Sequence, residues 1–164
     1  MSKWPIVKLG VFIREVKERN IGSWCEDVFS VTNSAGFVAS SQYFKKQVYS
    51  EDVSSYKIVH PDMIAFNPSR INVGSIALLE KPLPVCVSPL YTVFRVEDDV
   101  FDSRFVVHYL KSAEGRAQIR ALTSGSVRDS LKWAALEKIA IPRLPFEQQS
   151  KLVRDSIKSE AKRS

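Results

Sequence analysis

The stretch from residue 64 to residue 96, IAFNPSRINVGSIALLEKPLPVCVSPLYTVFRV, sets a small polar tip between apolar runs. The tip reads Asn67-Pro68-Ser69-Arg70 and then Asn72-Val73-Gly74-Ser75. Pro68 fixes its own φ and biases Asn67 toward extended geometry, while Gly74 permits a tight return. The chain therefore has to turn before Ile76-Ala77-Leu78-Leu79. The result is a rigid scaffold presenting one arginine and several short polar groups on or near a loop, where recognition residues concentrate.

The flanking sequence reads as short strands and a few helices. Trp4, Ile6 and Leu9 are available for burial near the N-terminus. The charged stretch 14–20 (REVKERN) suits a solvated turn or short helix face, or a rim that meets phosphates. Val28, Val31, Phe37 and Val38 suggest strands broken by a hairpin-like turn at residues 33–36. Residues 56–59 and 63–66 form strands around a His60-Pro61-Asp62 turn, and residues 85–96 have strand-like density of β-branched and aromatic side chains. Asp102 or Ser103 can cap a helix carrying Phe105, Val106, Tyr109 and Leu110, which Gly115 interrupts before a helical pattern resumes over 116–122. Pro145 suits the first turn of a last helix with Leu152, Val153 and Ile157 on one side. The expected fold is α+β, with a mixed, mostly antiparallel central sheet, flanking helices and a projecting C-terminal helix. Residues 1–143 form the main domain and 144–164 the start of that helix.

A chain of 164 residues, 45% hydrophobic and 26% charged, fits one domain with a real core. Its formal net charge of +6 suits a polyanion partner, because each lysine or arginine set against a phosphate releases counterions. There is no run of about eighteen apolar residues and no apolar core of a secretory signal, so a cytoplasmic protein is expected. Cys25 and Cys86 stand apart from each other and from both histidines in sequence, with no metal-ligand spacing, as ordinary reduced residues do.

An enzyme reading has little to stand on. His60 precedes a proline at a turn, His108 lies within an apolar helical pattern, and no GxSxG, HExxH, P-loop or Rossmann glycine pattern is present. Residues 67–70 are similar to the NPPY tetrad with which adenine methyltransferases hold a flipped base, but position 69 is serine, position 70 is arginine, and no glycine-rich cofactor loop precedes them.

Binding fits better. A guanidinium pairs bidentately with guanine or a phosphate, and Arg70 and Arg128 both lie in polar loop contexts. Ser124-Gly125-Ser126 lets backbone N–H groups approach a phosphate closely, and Lys132, Lys45 and Lys46 extend the same positive character. Residues 40–47, including Gln42, combine short polar, aromatic and basic side chains that can read base edges or form a plain amphipathic surface. For Arg70 the structural alternative is an ion pair with Asp62 or Glu80.

Taken in order, His60-Pro61-Asp62, residues 67–77, 87–94 and 105–110, GSVRDSLKW at 125–133 and IPRLPFEQ at 141–148 resemble one target-recognition half of the specificity subunit of type I restriction-modification systems. The resemblance spans residues 4–158. It implies a non-catalytic, sequence-specific reader of double-stranded DNA that needs no cofactor of its own. S-adenosylmethionine and ATP would belong to the methyltransferase and endonuclease partners. Bases in that family are read mostly by variable loops, which assigns Gln42, Lys45 and Lys46, with residues 20–25, to the bases. Arg70, Asn72, Ser126, Arg128 and Lys132 then fall toward the backbone. Phe146, Leu152, Val153 and Ile157 would dock the modification subunit. A full subunit has two such halves, so the chain is expected to be a natural half that pairs with a copy of itself or another half, or a fragment. The competing expectation is an anti-restriction decoy that occupies the modification subunit without reading DNA.

Overall fold

Two strands from the 64–96 stretch become the middle of the domain because their apolar side chains have two cores to fill. The computed structural model describes residues 4–40, 52–97, 99–123 and 130–163. Its strands are β1 (Ile6–Lys8), β2 (Ile13–Glu15), β3 (Phe29–Val31), β4 (Phe37–Ala39), β5 (Lys57–Val59), β6 (Ile64–Phe66), β7 (Ile76–Leu78), β8 (Val85–Val87), β9 (Thr92–Val96) and β10 (Ala140–Pro142). The helices are α1 (Ser103–Lys111), α2 (Ala113–Thr123), α3 (Trp133–Leu136) and α4 (Phe146–Arg163). The central sheet runs β2-β9-β6-β7, and the pairs β1-β10, β3-β4 and β5-β8 surround it. Every ladder between these strands is antiparallel, with one isolated parallel bridge, Val28 to Cys86. The structure has the expected α+β class.

Side chains alternate across the central sheet with the period of two that a pleated strand imposes. Ile64, Phe66, Ile76, Phe94 and Val96 face the larger core, with Leu9, Phe101, Phe105, Leu110, Ile119 and Leu131. Ala65, Ala77 and Val93 face the other way, onto Val31, Val59, Val85 and Val87. A sheet covered on both faces needs apolar residues on both, which explains why these segments read as runs rather than as strict alternation. Phe94 anchors the larger core through an edge-to-face contact with Phe66 at 6.0 Å and a tilted contact with Trp133 at 5.8 Å between ring centres.

Several local expectations change in the fold. Ile6 is exposed while Leu9 is fully buried, because the short β1 turns Val7 rather than Ile6 toward the core. Residues 14–20 are neither a helix nor a free turn: Arg14 lies in β2 opposite Arg95, and Glu97 bridges the two like charges at 3.0 and 3.8 Å. Residues 85–96 form two strands in different sheets, parted by a turn in which Tyr91 N–H donates to the Ser88 carbonyl. The break between α1 and α2 falls at Ser112, whose ψ is 167°, and Gly115 lies inside α2. Gly115 permits close approach instead: a Cβ there would meet the backbone of Tyr109 and Leu110.

The junction of α1 and α4 is a satisfied polar network. Asp102 caps α1 by accepting from Arg104 N–H at 2.9 Å, takes two further bonds from the Arg104 guanidinium, and accepts from Ser150 Oγ at 3.1 Å. Fully buried Gln149 accepts from Asp102 N–H at 2.8 Å and donates to the carbonyls of Val100 and Leu144 at 2.9 Å each. Burial pushes the Asp102 carboxyl upward, but the bonds from Arg104 and Ser150 outweigh it and hold the group below its ordinary value.

Candidate nucleic-acid interface

The polar tip is the turn of the β6–β7 hairpin, and its backbone is tightly determined. Asn67 Oδ1 accepts from Ser69 N–H at 3.0 Å and its carbonyl accepts from Arg70 N–H at 3.0 Å, the side-chain-assisted turn that Asn favours. Residues 71–73 then make one 3₁₀ turn, closed by Gly74 at φ 102°, a left-handed geometry available to glycine at little cost. Ser75 Oγ donates to the Val31 carbonyl at 2.9 Å and ties the turn to β3. Ile71 is 1% exposed and anchors the turn in the larger core.

On either side of that anchor, Arg70 and Asn72 are exposed. Among the described residues, neither side chain makes a hydrogen bond or an ion pair; Asp62 and Glu80 do not pair with Arg70. A rigid backbone thus presents a free guanidinium fork and a free amide.

Two other parts of the chain meet this tip. Leu131 N–H donates to the Pro68 carbonyl at 2.9 Å, which brings exposed Lys132 beside the turn. Asn67 also lines a cleft of about 220 Å³ with Ser30, Ser40, Tyr56, Ser88 and Tyr91. Ser40 itself is buried and shares a 3.0 Å hydrogen bond with Ser30, so it anchors the chain where residues 41–51 begin. Gln42, Lys45 and Lys46 lie outside the described residues, as do Ser126 and Arg128. The fold therefore joins Arg70, Asn72 and Lys132 around one turn, although more than sixty positions separate Arg70 from Lys132 in the chain.

The loop 20–25 is held by its own ends. Asn20 is fully buried, donates to the Cys25 carbonyl at 2.8 Å and accepts from Cys25 N–H at 3.0 Å, leaving Ile21 and Trp24 exposed between them. Gly22 and Ser23 both have positive φ there. Cys25 and Cys86, remote in sequence, are both free, buried and neighbours, with Cys86 Sγ 3.7 Å from the Cys25 carbonyl. Burial, reinforced by Cys25, pushes the Cys86 thiol up to about 12, which keeps it a protonated packing residue near neutral pH.

Other candidates divide in the same way. Lys57 is buried and donates to the Tyr91 carbonyl at 2.6 Å, and burial lowers its pKa, so it serves the fold. His60 lies 2.9 Å from a Glu18 carboxylate oxygen at the surface, and His108 is exposed on α1. Among the described residues no His, Cys, Asp and Glu group could hold a metal ion, and no helix is long and apolar enough to cross a membrane. On α4, Val153 is 6% exposed and belongs to the larger core, whereas Phe146, Leu152 and Ile157 are exposed. Sequence reading overlooked Lys111 and Arg116; their only local sign was a cluster of cations on a helical pattern.

This architecture, short antiparallel strands with a polar hairpin tip and a C-terminal helix packed on α1, recurs within larger solved structures. An HsdS subunit from Thermoanaerobacter tengcongensis aligns with a TM-score of 0.67 and 16% identity, over 98% of this chain and 43% of that one. The chain has the fold of one part of a type I S subunit. A chain from a structural study of complex assembly and conformational transition in the type I R-M system aligns at TM-score 0.58 and 17% identity, over 98% of this chain and 40% of that one. The type I restriction-modification S subunit from M. genitalium gives 0.55 and 13%, over 99% and 42%. The chain spans about two-fifths of the length of these S subunits. No protein-family model and no curated protein sequence matches it.

Proposed function

We propose that this domain reads double-stranded DNA in a sequence-specific way, as the specificity component of a type I restriction-modification system that directs methyltransferase and endonuclease subunits. The observation that carries the reading is the hairpin tip: a backbone bonded at nearly every position that leaves Arg70 and Asn72 with no side-chain partner among the described residues, in a chain with the S-subunit fold. Protein groups left free on a rigid turn are preorganised for an external acceptor. Arg70, Asn72 and Lys132, with Ser126 and Arg128, hold the phosphate backbone and set the register. Gln42, Lys45 and Lys46 read base edges.

The chain itself is non-catalytic and works in the cytoplasm. Residues 144–164 dock the modification subunit through Phe146, Leu152 and Ile157, while Val153 holds the helix to the domain. Pairing with a copy or with a second half would produce a two-fold arrangement that reads a bipartite inverted repeat.

The test is affinity purification of the tagged chain with its partners, a native mass of the complex, and selection by that complex from a randomised duplex pool. A methyltransferase subunit at defined stoichiometry and one enriched motif, preferred on the order of 10³-fold over random duplex, are expected. Recovery of the methyltransferase with sequence-blind DNA binding would replace this reading with that of a decoy.

A further inference from the structure

We infer that Arg116 and Lys111, behind the hairpin tip, form a second anion site that grips one phosphate of the bound duplex; the inference rests on the DNA-binding reading above. Gly74 marks the place. A Cβ built on Gly74 would lie 3.2 Å from Arg116 Nη2, 3.8 Å from Lys111 Cε and 3.0 Å from the Asn33 carbonyl oxygen. Two cationic side chains from the end of α1 and the first turns of α2 therefore converge on the tip backbone, where the β3–β4 turn also arrives.

Neither cation is neutralised there. Arg116 is half-buried, and its Nε is enclosed without any hydrogen-bond partner. Among the described residues neither Arg116 nor Lys111 makes an ion pair. Glu114 in the first turn of α2 and Glu80 in the groove beside Lys111 are the nearby acids, and neither bridges to them. An enclosed charged donor without an acceptor is costly, and a second cation beside it adds repulsion. Arg104 shows how the fold treats an arginine it uses internally: its guanidinium is bonded twice to Asp102. The enclosed Nε leaves the terminal nitrogens of the Arg116 fork, together with Lys111, as the donors for an external anion, and that planar fork suits phosphate. Exposed Arg120 lies one helical turn beyond Arg116, on the same side of α2, and extends the positive track.

The experiment measures duplex affinity of the full chain between 50 and 200 mM salt for the unmutated protein, Arg116→Gln, Lys111→Gln, the double variant and Arg116→Lys. Losing one phosphate contact should flatten the slope of log K against log salt by about 0.9, so that the deficit of Arg116→Gln shrinks about three- to fourfold across that range. The double variant should flatten it by about the same 0.9 rather than twice as much, because both cations hold one phosphate. Arg116→Lys keeps the charge and should keep the slope that Arg116→Gln loses, a contrast that a merely structural arginine would not produce, since it would leave the slope unchanged in both variants. A slope in Arg116→Gln equal to that of the unmutated chain overturns the inference and leaves the DNA reading intact. Absence of duplex binding by the unmutated chain overturns both.

Discussion

At the α1–α4 junction Asp102, Arg104 and Gln149 close their hydrogen bonds within the fold, whereas at the β6–β7 tip the backbone is bonded and the side chains of Arg70 and Asn72 have no partner among the described residues. Asp102 and Arg104 hold each other, and Gln149 places all its bonds on buried backbone groups. Arg70 and Asn72 have no such partners among the described residues. Both regions are rich in polar residues, so composition does not distinguish them. What separates a structural polar cluster from a recognition surface is whether its hydrogen bonds close within the molecule, because burying an unpaired polar group costs more than pairing it returns.

The largest effect that could break this contrast lies at the junction. Gln149→Ala removes three hydrogen bonds and leaves Asp102 N–H and two carbonyls unpaired in the interior. It should cost about 3 kcal/mol in urea denaturation, since each buried group left unsatisfied costs on the order of 1 kcal/mol or more. A loss no larger than that of a surface substitution would remove the junction's claim to be structural.

Gly74→Ala comes next. A side chain there meets both a left-handed φ of 102° and the Asn33 carbonyl at 3.0 Å, so about 2 kcal/mol should be lost, read as a lower thermal midpoint. A neutral outcome would mean that the tip backbone is less firmly held than its hydrogen bonds imply.

Asp102→Ala removes the cap of α1 and should cost about 1 kcal/mol. The same residue sharpens the contrast through pH. Its folded-state pKa lies below the ordinary value of 3.8, so its contribution is fully present above that value and is lost as pH falls through the folded one. Urea midpoints collected from pH 5 down to pH 2 should fall less steeply in Asp102→Asn than in the unmutated chain.

The smallest stability effect belongs to the tip side chain. Arg70→Ala should change the folding free energy by no more than about 0.5 kcal/mol, yet weaken binding to all duplex sequences alike and flatten the salt slope by about 0.9. A shift in the preferred sequence instead would move Arg70 from the phosphates to the bases.

Local chemistry was legible from the chain alone wherever one residue decides a backbone angle or a cap. Pro68, Asn67 and Gly74 announced the tip, Asp102 announced the start of α1, and Gly36 with its neighbours announced the β3–β4 turn, because turn and cap energetics are set within four or five residues. The family resemblance was legible for the same reason: its motifs are these turns in a fixed order. The division of residues 85–96 between two sheets was not legible, nor was the break at Ser112, since strand pairing and the close approach at Gly115 depend on segments far away in sequence. Tertiary structure alone set Cys25 against Cys86, buried Val153 while leaving Leu152 and Ile157 exposed, brought Lys132 to Pro68, and aimed Arg116 at Gly74. Each is a contact between distant segments, whose energy is gained only when the whole core closes, and the amino-acid types at either end carry no record of the partner they will meet.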